Sequence, residues 1–413
     1  MSGVTIVGAG PAGLSCAVML RCHGLDEGLQ VLDPSGAWLT AWRDRFRRQD
    51  IPHLRSPAVH HPHPDPFALL GAEGRDGLVP SGETKLPTTE RFERFVDELV
   101  EQLGLTEAVD ANAVRSLDVD GAGRASLTCE DGTVRRPERV VLCTNARLPV
   151  VPPALSPWMN DPRVLGTNRA DVQRTQPGSR VTVVGGGLSA AHLALGAARR
   201  GALVTLLTRR RLTVRRFDTH PSWLGPKRRR PFEAEPDPAR RRQAIDHARG
   251  GGSVPPRIHR DLVRCVDAGR IDLRQRVELL QVEEVRDELH LRLDDGTTGR
   301  ADHVWYATGG AVDVSRDPLC ALLLAANPVP VAGGLPVLNP DLTWPGTNVH
   351  LTGFAAALTL GPTAGNLIGH RRAALRIAAG LRGENPNQAD RIASGAGACP
   401  ATAPALAPES GRR

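Results

Sequence analysis

The feature that most constrains the fold is the stretch from Val4 to Asp33 at the start of the chain. An apolar run, VTIV, is followed at once by the turn GAGPAG (residues 8–13) and then by apolar residues at helical spacing. A second short apolar strand ends at Asp33, about twenty residues after the last glycine of the turn. Strand, GxGxxG turn, helix, strand and acid in this order predict a dinucleotide-binding unit.

Each residue type in this unit has a physical role. Gly8 permits the tight turn, Gly10 lets the backbone approach a pyrophosphate, and Gly13 lets the helix pack close to the strand. The pyrophosphate would lie on free N–H groups at the helix N-terminus, where the helix dipole favours an anion. The acid would accept hydrogen bonds from ribose hydroxyls. The predicted cofactor-binding residues of this unit are Gly8, Gly10, Pro11, Ala12, Gly13 and Asp33.

A second unit of the same kind begins near residue 181. A buried strand is followed by the turn GGGLSA (residues 185–190), in which alanine takes the last position, as the motif allows. We expect Gly185, Gly187 and Ser189 to bind a cofactor. The next strand ends in TRRR (residues 208–211), where the first unit has its acid. Arg209 and Arg210 can bind a 2′-phosphate, which favours NADPH over NADH; alternatively, these arginines form a solvated face of an arginine-rich chain.

Composition accounts for the basic charge without nucleic acid. The chain has 413 residues, of which 40 % are hydrophobic and 23 % charged, and its net charge is +7. Only two lysines occur, so arginine supplies nearly all of the positive charge. Aromatic residues make up 3 %, with Tyr306 the sole tyrosine, so platforms for stacking bases are scarce. We therefore expect phosphorylated cofactors and a small-molecule substrate, and no nucleic acid.

Cysteine spacing and the start of the chain indicate a soluble, cytoplasmic protein. None of the seven cysteines forms a CxxC or CxxxxC pair, so neither a redox dithiol nor a zinc site is predicted. Wide spacing suits a reducing compartment. The first strand begins within four residues of Met1, which leaves no room for a signal peptide. Glycine and proline interrupt the charge-free segment 351–369, so no membrane span is predicted.

The remaining segments connect and complete the two units. Ala307-Thr308-Gly309 ends a strand, where the chain is predicted to pass close to a cofactor or to cross between domains. The arginine-rich segment 209–251 has little apolar periodicity, and we interpret it as a surface excursion of the second domain; alternatively, it covers the cofactor cleft. Other predicted elements are an irregular proline-rich loop at 34–64, a helix from 88 or 89 to about 104, strands near 113–119, 124–130, 139–144 and 349–352, and a helix after 353–365 that ends near 379.

Together these motifs resemble the two-dinucleotide-binding flavoproteins over about residues 1 to 380. Within that group the chain is similar to flavin-dependent monooxygenases, especially the N-hydroxylating branch of the lysine and ornithine type. The similarity rests on the first turn for FAD, the second turn for NADPH, the ATG segment (307–309) and DPSGAW (33–38). It implies an α/β fold of two Rossmann-like dinucleotide-binding domains, with the NADP domain (151–310) inserted in the FAD domain (1–150 and 311–382). The tail, 383–413, is predicted to be disordered.

The resemblance also implies which residues surround the flavin. The region after the second strand would run beside the isoalloxazine, placing Trp38, His53, Arg55 and Ser56 near it. The catalytic candidates are His53, Arg55 and Ser56; Arg55 would clamp a substrate carboxylate or, equally, brace the backbone. A helix that starts near Thr363 would stabilise the pyrimidine side of reduced flavin. No metal site is predicted, and the predicted cofactor-binding set is completed by Trp38, Ala307, Thr308, Gly309, Gly353, Gly361 and Thr363.

Two departures from the family pattern narrow the chemistry. The link between domains, VLGTN (164–168), lacks the histidine of many flavin monooxygenases, which weakens any assignment to Baeyer–Villiger oxidation. The acid that often ends the last FAD strand is replaced by Gly353-Phe354-Ala355. The segment 361–366 still offers helix N-terminal amides to the flavin.

The implied function is an NADPH- and FAD-dependent monooxygenase that uses O2 to hydroxylate a nitrogen of an amino acid or small amine through a peroxyflavin. One alternative is an NADPH-dependent flavin reductase or dehydrogenase that passes electrons to an acceptor without oxygen transfer. Another is a non-catalytic FAD-binding protein that docks through 209–251, although a scaffold has little need for two dinucleotide sites. A disulfide reductase is excluded by the absent cysteine pair. The sequence identifies neither the substrate nor the oligomeric state.

Overall fold

The computed structural model describes residues 3–72, 76–144 and 147–389. The first glycine turn follows the central strand of a five-stranded parallel sheet. Strand Val4–Val7 is buried at all four positions and pairs with a parallel strand on each side. Helix Pro11–Cys22 follows the turn and packs against helix Leu367–Leu381. The first predicted dinucleotide-binding fold is confirmed. Across the sheet the strands are Val349–Leu351, Arg139–Leu142, Val4–Val7, Gln30–Leu32 and Val109–Asp110.

A second parallel sheet carries the second glycine turn. Strand Arg180–Val184 leads into the turn, and helix Leu188–Arg199 leaves it. This helix, rich in alanine and leucine, packs against helix Pro256–Asp267. The α/β class with two Rossmann-like units is therefore confirmed. Across this sheet the strands are Val164–Gly166, His303–Tyr306, Arg180–Val184, Leu203–Thr208 and Ile271–Gln275.

The two domains are joined by a small antiparallel ribbon. The outgoing chain forms strand Arg147–Pro149, and the returning chain forms strand Gly310–Val312, with Arg147 paired to Val312. After the return, strand Val349–Leu351 adds to the first sheet beside Arg139–Leu142. The second domain is therefore inserted in the first, as predicted. The predicted boundaries at 150 and 310 fall at this ribbon.

The other elements cover the sheets. Four small antiparallel sheets pair Leu78–Ser81 with Thr84–Pro87, Val114–Val119 with Ala125–Cys129 and Val134–Arg135, Leu279–Val285 with Glu288–Leu293 and Thr298–Ala301, and Val331–Ala332 with Leu335–Pro336. Within the described ranges no helix is long and apolar enough to cross a bilayer. The remaining helices are Thr40–Arg48, Ala68–Gly71, Thr89–Gln102, Pro226–Ala234, Pro238–Arg249, Pro318–Ala326 and Ala357–Leu360, and the 3₁₀ turns are Thr106–Ala108, Pro153–Trp158, Val172–Arg174, Pro221–Trp223, Val314–Arg316, Gly353–Ala356 and Pro386–Gln388.

Helix Thr89–Gln102 shows why a local pattern was sufficient there. The Thr88 hydroxyl caps the helix by accepting a hydrogen bond from the Arg91 N–H at 3.2 Å. Phe92, Phe95, Val96 and Leu99 recur at helical spacing and are all buried against the first sheet. The N-terminal cap and the apolar stripe indicate the same helix. The helix is therefore found as predicted, with its end within two residues of the expected position.

The arginine-rich segment 209–251 differs from its predicted form. It was predicted to be a surface excursion of the second domain, and it contains two helices, Pro226–Ala234 and Pro238–Arg249. Trp223, Phe232 and Ile245 are buried in the core of the first domain, not the second. Their wide spacing gives no periodic signal, yet each fills a position in a core built by distant residues. The segment therefore crosses from the second domain onto the first.

The C-terminal part of the first domain also differs from prediction. The expected helix start near Thr363 is wrong: the long helix begins at Leu367, and Thr363 is buried in the turn before it. Gly369 allows this turn to pack tightly, because a Cβ at that position would clash with the Thr363 carbonyl oxygen. Of the predicted tail, residues 383–389 include the turn Pro386–Gln388, and residues 390–413 lie outside the described ranges.

Several histidines are built into the core rather than exposed. His61 is fully buried, its ring lies 4.9 Å from that of Phe95, and burial lowers its pKa to about 3. Burial likewise lowers the pKa of His192 to about 3 and that of His370 to about 4. These rings stay neutral in the folded protein at pH values where they are protonated in the unfolded chain.

We expect stability to fall as the pH is lowered from about 6.5 to about 4. Over that window the unfolded chain takes up protons on these histidines and the folded protein does not. The urea midpoint should be lower at pH 5 than at pH 7. The variant His61→Gln should show a smaller pH dependence than wild type, whereas His247→Gln, at an exposed position, should keep it. An unchanged pH dependence in His61→Gln would contradict this account.

Candidate cofactor and substrate cleft

The first glycine turn has the shape of a phosphate cradle. Gly8 has φ +104°, and a Cβ there would lie 3.0 Å from the carbonyl oxygen of Cys143. A Cβ on Gly13 would clash with the Gly8 carbonyl oxygen, so the helix can approach the strand only with glycine there. At Gly10 nothing lies within 4 Å of an added Cβ. Open space therefore remains above the N-terminus of the helix that Pro11 begins.

Asp33 is fixed beside this turn. Its Oδ2 accepts a hydrogen bond from the Ala9 N–H at 2.9 Å, and its Oδ1 accepts from the Ser35 N–H and hydroxyl at 2.9 and 2.6 Å. The following loop folds back over the turn, with the Leu39 N–H donating to the Ala9 carbonyl at 2.9 Å. The carboxylate is only half-buried and retains free acceptor capacity toward solvent.

The second glycine turn is as tight as the first, but its second turn position, Gly187, is in contact with another backbone segment. Gly185 has φ +151°, and a Cβ there would clash with the Ala307 carbonyl oxygen. Ala190 is buried, whereas Ser189 is exposed at the N-terminus of the helix. At Gly187 an added Cβ would lie 3.4 Å from the Cα of Gly252, so one side of this turn is lined by another backbone segment. The helix N-terminus itself stays accessible.

Arg209 and Arg210 follow the strand beside the second turn. The Arg209 side chain is 68 % exposed, with one nitrogen 3.9 Å from a Glu278 carboxylate oxygen. The Arg210 guanidinium lies against Gly251, and the Thr208 hydroxyl donates to the Arg210 carbonyl at 2.6 Å. Both side chains stand where a motif acid would be, and a 2′-phosphate role for them stays a prediction.

The segment Ala307-Thr308-Gly309 lies at the joint between the domains. The Ala307 N–H donates to the Val184 carbonyl at 2.8 Å, which brings this segment against the second turn. Thr308 donates its hydroxyl hydrogen bond to the Val150 carbonyl, and the Val150 N–H donates to Gly309 at 3.1 Å. The segment crosses between the domains, which is one of the two locations that the sequence suggested, since it leads from the turn directly into the ribbon. Its closeness to a bound cofactor stays a prediction.

The residues predicted to surround a flavin divide into different environments. Trp38 is buried in the core, where its Nε1–H donates to the Leu105 carbonyl at 2.9 Å, so it does not line an open wall. His53 is buried, with Nδ1 3.1 Å from the Leu54 carbonyl, and it lies near enough to His192 to lower the pKa of that residue further. Ser56 is half-buried.

Arg55 is a brace between the two domains. Its Nε–H donates to the Arg216 carbonyl at 3.0 Å, and its Nη2 donates to the Arg215 carbonyl and the Ser253 hydroxyl at 2.8 and 2.9 Å. Its Nη1 pairs with Asp218 and reaches the Ser253 carbonyl at 3.3 Å. All five N–H donors are used, so the bracing alternative fits, and no donor remains for a substrate carboxylate.

The predicted C-terminal residues lie around Phe354. Gly353 and Gly361 have positive φ values of 66° and 82°, which glycine adopts readily. Between them, Phe354 is half-buried and packs against Gly365, where an added Cβ would be 3.4 Å from its Cβ. Thr363 is buried.

The sequence analysis missed the arginines around Phe354. The Cζ atoms of Arg147 and Arg249 lie 5.3 and 5.1 Å from the centre of its ring. Arg249 also donates to the Pro362 carbonyl at 2.9 Å and lies 3.7 Å from Asp218. Surrounding protein, then the charges of Arg249 and Arg45, lower the pKa of Arg147. Uniform arginine enrichment hid this cluster, because no motif distinguishes its members from solvated arginines.

Comparison with known proteins shows which solved structures have a similar fold. No protein-family model matches the chain, and no curated protein matches it by sequence. Among solved structures, the FAD-bound cadaverine monooxygenase of Erwinia amylovora superposes with a TM-score of 0.73 at 16 % identity, covering 94 % of this chain and 95 % of that one. The ornithine N-hydroxylase of Kutzneria sp. 744, with reduced FAD, NADP+ and L-ornithine, gives 0.72 at 16 % identity over 92 % and 99 %. The L-lysine 6-monooxygenase of Pseudomonas syringae gives 0.68 at 18 % identity over 92 % and 99 %.

These likenesses show the fold. The chain has the two-domain dinucleotide-binding architecture of the N-hydroxylating flavin monooxygenases over nearly its whole described length. Its own residues fit a dinucleotide at both turns: each first glycine is held by backbone that a Cβ would strike, and each following helix presents its N-terminus.

Replacing Arg55 tests its role as a brace. We expect Arg55→Ala to lower the free energy of unfolding by about 2–3 kcal/mol, because Asp218 and four carbonyl or hydroxyl acceptors lose their donor. Arg55→Lys should recover little, since one ammonium cannot replace a five-donor fork. Urea unfolding measures both. Arg174→Ala, at a side chain that is 88 % exposed, serves as the control, and equal effects of Arg55→Ala and Arg174→Ala would refute the brace.

Proposed function

We propose that this chain is an NADPH- and FAD-dependent monooxygenase that hydroxylates a nitrogen of an amino acid or small amine. The observation that carries the proposal is the convergence of both glycine turns on one interdomain ribbon, beside Phe354 and the two arginines that flank its ring. The segment after Cys143, which touches the first turn, and the segment after Ala307, which touches the second, form the two strands of that ribbon. The fold shared with monooxygenases of cadaverine, ornithine and lysine supports the same function.

The overall reaction is R–NH2 + O2 + NADPH + H+ → R–NHOH + H2O + NADP+. When bound, FAD would supply the redox and oxygen chemistry. The protein has to hold both nucleotides, orient the amine and keep water away. The reacting nitrogen must also be neutral to act as a nucleophile, so an environment that does not stabilise an ammonium favours the reaction.

In the first domain, the helix N-terminus would hold the FAD pyrophosphate on free N–H groups such as those of Gly10 and Ala12, while Pro11, which has no N–H, begins the helix. Asp33, fixed by the N–H groups of Ala9 and Ser35, would accept hydrogen bonds from the ribose hydroxyls. Because Ala9 and Ser35 already hold the carboxylate, its orientation costs no further ordering when the nucleotide binds.

In the second domain, Gly187 and Ser189 begin the helix that would hold the NADPH pyrophosphate. Arg209 and Arg210 would bind the 2′-phosphate at the end of the neighbouring strand. Around the cleft, Trp223 and Phe232 pack near Gly361 and exclude water from one side.

Turnover of the purified protein tests the function. It should retain FAD, oxidise NADPH and consume O2 faster when a suitable amine is present, and mass spectrometry should find one added oxygen on the amine. NADPH oxidation that proceeds with an electron acceptor but never yields an oxygenated amine would establish the reductase alternative instead. Absence of any NADPH oxidation by the FAD-loaded protein would refute both the monooxygenase and the reductase.

The 2′-phosphate assignment has its own test. Arg209→Ala and Arg210→Ala should each raise KM for NADPH by about 10–100-fold, since each loses a charge-assisted contact, and should change KM for NADH less than about twofold. Steady-state kinetics with both nucleotides measures this. Arg264→Ala, on an exposed side of the same domain, should alter neither value; equal effects of the Arg209 and Arg210 variants on NADPH and NADH would refute the assignment.

A further inference from the structure

The cleft beside Phe354 contains more positive charge than its own carboxylates balance. Arg147 and Arg249 flank the ring, and the charge of Arg45 also acts on Arg147. Asp218 is the carboxylate paired with Arg249, and it is already shared with Arg55. Within the described residues, the cluster therefore keeps an excess of guanidinium groups over acids.

Arg45 differs from its neighbours on the same helix. On Thr40–Arg48, Arg43 pairs with Asp97, and both Arg47 and Arg48 pair with Asp44. Arg45 forms neither an ion pair nor a side-chain hydrogen bond with any residue in the described part of the chain. Surrounding protein nevertheless lowers its pKa. The Arg45 side chain is exposed to solvent, so its guanidinium is accessible to an anionic ligand.

Arg147 is unpaired in the same way. It begins the ribbon, stacks on Phe354 at 5.3 Å, and has no ion pair or side-chain hydrogen bond with the described residues. Its five N–H donors therefore remain available to a ligand. Arg147 and Arg45 are both exposed to solvent, so an anion can reach them, and guanidinium groups that repel one another are stabilised by an oxyanion, which a planar fork binds at two points.

The location favours the substrate over a nucleotide phosphate as the source of that oxyanion. The two pyrophosphate positions lie at the helix N-termini after Gly10 and Gly187, each on its own domain. Arg147 lies on the ribbon between them, against the Phe354 ring. A group held there is at the junction of the two nucleotides, where the amine must be.

We propose that Arg147, with Arg45, binds an acid group of the amine, so that the site selects amines of net negative charge over basic amines. This inference rests on the proposed function and sets the chain apart from enzymes of its fold that act on ornithine, lysine or cadaverine. Those molecules carry one or two excess positive charges at neutral pH, which would add to an already cationic cleft. An amino acid with a second acid group neutralises the cleft instead.

The test compares acidic and basic amines on the FAD-loaded enzyme. With L-aspartate and L-glutamate we expect amine-dependent O2 consumption and an oxygenated product, and with L-ornithine, L-lysine and cadaverine much less. Arg147→Ala should raise KM for the acidic amine by about 10–100-fold, with KM for NADPH unchanged. Arg147→Lys should recover part of the loss, and Arg147→Glu should shift the preference toward basic amines. Arg264→Ala should behave as wild type.

The outcomes separate this inference from the function on which it rests. Efficient hydroxylation of basic amines with rejection of acidic ones overturns the inference and leaves the monooxygenase standing. A rise in KM for NADPH alone in Arg147→Ala also overturns it, because the arginine would then belong to the nucleotide site. Should no amine be oxygenated, binding of L-aspartate to the oxidised holoenzyme, followed by flavin absorbance, decides: binding that Arg147→Ala weakens supports the acid site, and its absence refutes it.

Discussion

The antiparallel pairing of residues 147–149 with 310–312 is the contact on which the rest of the arrangement depends. One strand of this ribbon starts four residues after Cys143, which packs on the first glycine turn, and the other starts three residues after Ala307, which packs on the second. Because a residue spans at most about 3.6 Å, both turns are restricted to the vicinity of this ribbon. Two independent nucleotide folds are thereby made to face one shared cleft.

Arginine side chains join the domains, in addition to the apolar residues that segment 209–251 buries in the first domain. Arg55 reaches four residues of the 209–253 region from the first domain, and Arg241 and Arg249 reach back to the carbonyls of Leu358 and Pro362. A guanidinium suits this task because its five donors satisfy several carbonyls from one side chain. An arginine whose five donors are unused stands out here, because most neighbouring arginines use their donors in hydrogen bonds or ion pairs.

Local patterns were sufficient wherever neighbouring residues decide the structure. Both strand–turn–helix units and the capped helix Thr89–Gln102 were predicted from residues adjacent in the chain, and they are found. The assignment of segment 209–251 to the surface of the second domain and the helix start near Thr363 were wrong. Whether these residues are buried depends on surfaces that distant parts of the chain provide. A sequence window of ten or fifteen residues does not include those distant residues, so it cannot predict the burial.

The sequence by itself determined two dinucleotide-binding folds, because glycine spacing, buried strands and helix starts are local requirements. Only the tertiary structure decided which arginines brace the domains and which remain free, because that depends on partners as distant as Arg55 and Asp218. It also moved Trp38 into the core and placed Arg147 beside Phe354. Side chains of one type are equivalent in a sequence and become different only when packing gives each its own neighbours.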